Sequence, residues 1–215
     1  MSLHFVGSVR NQAGKSWFIR AAIEYLRQKS PVVMLDASAD KSVGEIYNPS
    51  LNRNFNLRFD CHSIEADRLI EISDCGVTAI IKIPAYDNLH FENWIENIEI
   101  DRLDIPIYYW HINSGYDRLS TKIIKVFSTH FFIVDNEYYL NSLNGDKYEY
   151  RDIKRLSMQK FGISPKDTRE IELTKKSLLD LTLDMPTISR TRIYRFLHTT
   201  FISIEESIAP EIKVH

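Results

Sequence analysis

"GSVRNQAGKSW", residues 7–17, decides how the chain is to be read. It ends in Gly14–Lys15–Ser16, like a phosphate-binding loop, yet the common Gly-x-x-x-x-Gly-Lys-Ser pattern needs glycine where Val9 stands. The surroundings supply the context that such a loop requires. The short apolar "LHFVGSV" precedes it as a candidate strand. "SWFIRAAIEYLRQKS" follows, with Trp17, Ile19, Ala22, Ile23 and Leu26 near one helical face. "PVVMLDASAD" then reads as a buried strand ending at Asp36. Strand, glycine-containing loop, helix and strand with a terminal acid follow one another as a nucleotide site needs.

The chemistry assigns roles along this stretch. Backbone N–H groups from Gln12 to Ser16 suit a β-phosphate at the first turn of the helix. Asn11, Gln12, Ala13, Gly14, Lys15, Ser16 and Trp17 are the candidate nucleotide contacts, with Lys15 reaching the β/γ oxygens. Ser16 and Asp36 are the candidate Mg²⁺ residues, the hydroxyl directly and the carboxylate through a bound water. Two plain alternatives stand beside these roles: a chance Gly-Lys-Ser at a helix start, and a solvent-facing strand-end acid at Asp36.

The bulk composition fits one α/β domain over residues 1–215. With 44% hydrophobic residues, 26% charged residues and a formal net charge of -2, the chain is not coated for nucleic acid or membrane, although a local basic patch is compatible with these totals. Cys61 and Cys75 make neither a disulfide framework nor a metal signature. The first residues lack a leader pattern and no apolar run approaches about 18 residues, so the expectation is a cytoplasmic protein without a membrane-spanning segment.

Downstream, "GVTAIIKIPAYDN" reads as a strand and turn, and "FENWIENIEI" as a helix. "IPIYYWHIN" is the next strand, leading into a helix in "SGYDRLSTKIIKVFS" with Ser114 or Asp117 near its start. "THFFIVDNEYY" is a further strand ending at Asn136. This alternation predicts an α/β fold, P-loop NTPase-like, with a mostly parallel sheet and helices on both faces. Residues of about 141–170 form a polar variable segment, with a turn at Asn144–Gly145, a short amphipathic helix in "RDIKRLSMQKF" and another helix starting at Ser164–Pro165. "TISRTRIYRFLHTTFISIEESI" predicts a C-terminal helix carrying Arg190, Arg192 and Arg195, with His198 nearby. The three arginines are candidates for nonspecific DNA-phosphate contact or a solvated charged face. His111 ends the "YYWH" strand with no serine or cysteine nucleophile tied to it by a recognisable motif.

"RNQAGKS" resembles the deviant Walker A loop of the ParA/MinD-like ATPases, Lys-Gly-Gly-x-Gly-Lys-Thr/Ser. Arg10 stands at the signature lysine, Asn11 and Gln12 replace the paired glycines, and Gly14, Lys15 and Ser16 agree. The order and spacing are similar to small conjugal-transfer and plasmid-stability ATPases of the TraL and StbB type, from the first strand to roughly Ile208. The resemblance implies ATP and Mg²⁺ as cofactors and a nucleotide-dependent homodimer through Arg10. It implies Lys15, Asp36 and Arg10 as catalytic candidates and Asn136 as the adenine contact, ahead of Asp135. It also implies work in plasmid conjugation, mobilisation or stability beside a relaxosome or partition protein.

Two departures bear on turnover. The family's Asp-x-Asp becomes Asp36–Ala37–Ser38, with Asp40 at a different offset. Lys82 stands where the Walker B-like "AIIKIPA" should carry aspartate, and a cation there repels metal and attracts phosphate. The residues therefore point to an ATP-binding switch with weak ATPase activity, or to a hydrolysis-impaired nucleotide-binding adaptor. A P-loop kinase or dethiobiotin-synthetase-like ligase is the third reading.

Overall fold

The computed structural model describes residues 1–39, 41–54, 57–59, 64–85, 88–115, 119–140, 153–160, 162 and 165–209. In chain order, β1 (Leu3–Gly7), α1 (Lys15–Leu26) and β2 (Val32–Asp36) come first, then α2 (Gly44–Tyr47), α3 (Pro49–Asn54) and α4 (Ile64–Asp74). Next are β3 (Thr78–Lys82), α5 (Asn88–Asn97), β4 (Ile107–Asn113), α6 (Thr121–Phe127), β5 (Phe131–Asn136) and α7 (Glu137–Leu140). The chain continues through β6 (Lys154–Met158), α8 (Pro165–Leu173), α9 (Leu178–Asp184) and α10 (Thr187–Ile208).

The six strands form one sheet in the order β2-β3-β1-β4-β5-β6, and every pairing is parallel. Strand alternation divides the side chains between two cores. Val6, Met34, Ile80, Trp110, Phe132 and Leu156 face α1, α9 and α10. Leu3, Phe5, Ala79, Ile81, Tyr109 and Ile133 face α4, α5 and α6. Burial on both sides explains why β1, β3 and β5 read as nearly continuous apolar runs. The chain moves from β1 to β2 in one direction across the sheet and back from β2 to β3 to β4 in the other. Right-handed crossovers then put α1 on one face and α4 and α5 on the other. The α/β expectation holds, and the sheet is consistent with a P-loop NTPase-like, Rossmann-type fold.

Local physics departs from the sequence expectations at two elements. "RDIKRLSMQKF" contains the edge strand β6 in place of a helix, because Leu156 and Met158 are buried while Arg155 and Ser157 between and beside them are exposed. That two-residue alternation closes the core under α10, and charged side chains occupy the outward positions of an edge. Helix α6 is capped by Ser120, whose hydroxyl accepts from Ile123 N–H at 3.3 Å; Ser114 lies earlier, at the end of β4. Pro165 begins α8 as expected. Asp40, Cys61, Asp117, Asn144, Gly145 and Ser164 lie outside the described residues.

At the opposite edge, the outer side of β2 faces no strand among the described residues, and two asparagines take that place. Met34 N–H donates to Asn48 Oδ1 at 2.7 Å, while Asn52 accepts from Asp36 N–H at 2.8 Å and donates to the Met34 carbonyl at 2.8 Å. Buried backbone groups are thereby satisfied as a seventh strand would satisfy them. No helix among the described residues is long and apolar enough to cross a membrane.

The inner end of β1 generates a pH dependence. His4 is buried, its ring stacks at 4.7 Å from that of Tyr108, and Trp110 Nε1–H donates to its Nδ1 at 3.1 Å. Burial, helped by the N-terminal ammonium, pushes the His4 pKa down to about 3. The ring is neutral in the fold but takes a proton below about 6.5 in the unfolded chain. Its stabilising contribution is therefore complete above that value and is lost as pH falls toward 3, in total on the order of 5 kcal/mol. In urea titrations, His4→Asn should show a clearly shallower fall of unfolding free energy between about pH 6.5 and pH 4 than the wild type. Equal pH slopes in the two proteins would contradict the assignment.

Candidate functional site

The carboxyl ends of the strands bring polar residues to one edge of the sheet: Asp36 on β2, Lys82 on β3, Asn113 on β4 and Asn136 on β5. In open α/β sheets this is the edge at which ligands bind. The segment from Ser8 to Gly14 leaves β1 here and enters α1.

That segment curls around the Lys15 amine. Lys15 Nζ donates to Ser8 Oγ at 2.6 Å and reaches the Arg10 carbonyl at 3.4 Å, while Ser8 Oγ–H donates to the same carbonyl at 2.6 Å. The lysine is only 7% exposed although it opens a helix at the loop. Gly14 caps α1 with φ 101°, and Trp17 and Phe18 N–H donate to its carbonyl at 3.1 Å each. A Cβ on Gly14 would lie 2.4 Å from Asn136 Nδ2, so the position needs glycine for both its dihedral and its space. Gln12 holds φ 61° without being glycine. The loop thus keeps left-handed backbone where the resembling pattern has glycine, at a strain of about 1 kcal/mol.

Helix α1 has no acid in its first turn and no side-chain cap at Gly14. Its leading N–H groups lack intrahelical acceptors, and with Lys15 beside them they favour an anion. Arg10, Asn11 and Gln12 are exposed on the loop, Ala13 is buried beneath it, and Ser16 and Trp17 are half-buried at the start of α1. These residues lie together as the sequence places them. Asn136 belongs to the same cluster: its Nδ2 donates to the Ala13 carbonyl at 2.8 Å, and its Oδ1 accepts from Tyr138 N–H at 3.0 Å. In this arrangement it ties β5 to the loop. Asp135 turns elsewhere, taking Asn113 Nδ2–H at 2.7 Å and the Arg155 guanidinium at 2.8 Å.

Asp36 and Lys82 form the second part of the site. They are register partners across β2 and β3, and Lys82 is also paired with Val6 across β3 and β1. Lys82 Nζ lies 3.3 Å from Asp36 Oδ2, with side-chain exposures of 7% and 0%. The same Oδ2 faces Val43 N–H at 3.3 Å and Gly44 N–H at 3.5 Å. Oδ1 accepts Ser38 N–H at 3.0 Å and also the Ser38 hydroxyl. A Cβ on Gly44 would lie 2.4 Å from the Asn52 amide, so glycine lets the backbone come this close. Helix α2, which follows, is held to α1 by Tyr47 O–H donating to Glu24 Oε1 at 3.3 Å. Burial raises the Glu24 pKa above the usual carboxylate range.

The implied Mg²⁺ does not fit this donor set. Asp36 is closed from solvent and meets donors from Ser38, Val43, Gly44 and Lys82. A metal-bound water would have to displace one of these donors from the carboxylate. Among the described residues no group of three or more His, Cys, Asp or Glu is placed to hold a metal ion.

His111 borders the loop without joining the Lys15 cluster, and the α10 arginines do not gather on one face. His111 is buried opposite Gly7 and lines a cleft of about 460 Å³ with Val9, Ser120 and Lys122. On α10, Arg192 and Arg195 are exposed, whereas Arg190 is half-buried with Nη2 3.2 Å from the Met185 carbonyl. At about 100° per residue, Arg190 points away from the other two, so the helix does not gather the three arginines on one face. Ser8 and Asn52 are site residues that sequence reasoning missed; neither belongs to a recognisable motif, and each acts through the fold. Comparison with protein-family models and with curated protein sequences finds no match.

The closed pair predicts a stability pattern. Lys82→Met leaves Asp36 charged and without its cation, and should lower the unfolding free energy by about 3 kcal/mol in urea titration. Lys82→Met combined with Asp36→Asn should recover most of that loss. A single variant as stable as the wild type would show that the ion pair does not hold this edge.

Proposed function

We propose that the protein is a nucleotide-binding switch that receives the phosphates of ATP in the loop from Arg10 to Ser16. The observation that carries the reading is the Lys15 amine held inside its own loop by Ser8 and the Arg10 carbonyl, at the carboxyl edge of a parallel sheet. An incoming phosphate oxygen would take the place of these acceptors on the ammonium in a charge-assisted hydrogen bond. Leading N–H groups of α1 would add donors to the same anion. The resemblance to ParA/MinD-like ATPases supports a role for Arg10 at a dimer interface. It also suggests a setting in plasmid conjugation, mobilisation or stability, which rests on the resemblance alone.

Binding is favoured over turnover. A weak ATPase needs a positioned water and charge compensation at the leaving phosphate. Asp36 is occupied by Lys82, and Ser38 replaces the family's second acid while donating to Asp36. This specific pairing favours the adaptor form of the reading, in which bound nucleotide changes shape or assembly and is released slowly.

Calorimetric titration with ATP tests the reading. Wild-type protein should bind ATP, and Lys15→Ala should weaken binding by at least about tenfold, or roughly 1.4 kcal/mol. Sedimentation of the same samples should show an ATP-promoted dimer that Arg10→Ala weakens more than it weakens ATP binding. Absence of ATP binding, or equal affinity in Lys15→Ala, would refute the nucleotide reading; a monomer in saturating ATP would refute the Arg10 part alone.

A further inference from the structure

We propose that the cleft on the α5/α6 face, at the carboxyl ends of β1 and β4, binds a small organic amine, with Glu92 receiving the ammonium and the Tyr109 hydroxyl giving a second polar contact. This site lies beside the phosphate-type loop and does not depend on nucleotide.

The topology of the sheet opens a crevice here. β1 and β4 are neighbours, yet the chain leaves β1 through α1 toward β2 and leaves β4 through α6 toward β5, on the other side. The two connections part, and at such a switch point the strand ends stay uncovered between them. A cleft of about 460 Å³ lies at this place, walled by Val9 of the loop, Tyr109 and His111 of β4, Phe131 of β5, Glu92 of α5 and Ile123 of α6. Its size is that of a small-molecule site.

Tyr109 gives the cleft its first polar group. It is the register partner of Phe5, but its hydroxyl reaches Gly7, two residues nearer the carboxyl edge, where a Cβ would collide with it. Its ring packs on Phe91, Phe127 and Phe131 at centroid distances of 5.8, 5.3 and 5.3 Å. Those neighbours are phenylalanines, and only Tyr109 among these four rings brings a hydroxyl into the core. The side chain is buried, and its hydroxyl has no hydrogen-bond partner among the described residues. A buried hydroxyl without a partner costs stability, so one that borders a cleft points to a ligand that completes it.

Glu92 sets the charge of that ligand. It is half-buried and makes no hydrogen bond or ion pair among the described residues. Burial, and after it the Glu92 charge, pushes the Tyr109 pKa up, which keeps the hydroxyl neutral and marks the two groups as neighbours. Lys122 at the rim is already 3.2 Å from Glu96, one turn along α5, so it leaves Glu92 uncompensated. A half-buried carboxylate in this position favours a cation and opposes an anion. One carboxylate is too few for a divalent ion, and aromatic walls attract an organic ammonium.

Amide chemical-shift titration of the ATP-free protein with benzylamine, benzyl alcohol and benzoate at neutral pH tests this. Benzylamine should shift the amides of Val9, His111 and Ser120 and bind at least about fivefold more tightly than either of the other probes. Glu92→Gln should erase that preference and leave benzyl alcohol binding unchanged, while Tyr109→Phe should weaken benzylamine by about threefold. Both replacements keep the shape of the side chain, and a thermal melt confirms that each variant is folded. No benzylamine binding, equal affinities for the three probes, shifts centred away from Val9, His111 and Ser120, or an unchanged preference in folded Glu92→Gln would overturn the proposal. None of these results bears on ATP binding at Lys15, which the Lys15→Ala titration tests separately.

Discussion

A carboxylate shut away from water must be met on every side, and much of one edge of this molecule is arranged to meet Asp36. Lys82 approaches across the sheet, Ser38 turns back from the chain that follows, and Val43 and Gly44 present their N–H groups from the start of α2. Each of those approaches fixes something further. Gly44 must lie against the Asn52 amide, Asn52 then caps the open edge of β2, and α2 reaches α1 through Tyr47 and Glu24. The buried ion pair does not have to be a large net source of stability to have this effect, because desolvation offsets much of its attraction. Its consequence is positional: neither member can be removed alone without leaving a buried charge.

Lys15 presents a related problem with a different solution. Its ammonium is buried in a loop where the Ser8 hydroxyl and the Arg10 carbonyl accept hydrogen bonds from it. Asn136 steadies the loop from β5 by holding the Ala13 carbonyl, and Gly14 admits the amide that does so. Lys15 thus meets a hydroxyl and a carbonyl of its own loop, and Lys82 meets a carboxylate across the sheet.

The parts of this arrangement differ in how visible they are in the sequence. Strands β1 to β5 stand out because burial on both faces leaves runs such as Ala79–Ile81 and Phe131–Val134 without polar interruption. The phosphate-type loop is visible because Gly14, Lys15 and Ser16 are contiguous. Strand β6 is hidden because Ile153, Leu156 and Met158 suit either a helix or a strand by spacing alone, and only the space beneath α10 selects the strand. Lys82 is recognisable as a cation in a place where an acid is expected, but its partner is set by sheet register, which one strand's sequence does not contain. Ser8 and Asn52 carry no motif. They act through contacts with residues 7 and 18 positions away, respectively, that exist only once the loop and edge have formed.

The most direct measurement is a crystal structure of the protein grown with a non-hydrolysable ATP analogue. The account predicts phosphate oxygens against the N–H groups of residues 12–16, with Lys15 Nζ turned from Ser8 Oγ onto a phosphate and Lys82 still paired with Asp36. Phosphates bound elsewhere, or a Lys15 amine still on Ser8 with nucleotide present, would contradict it.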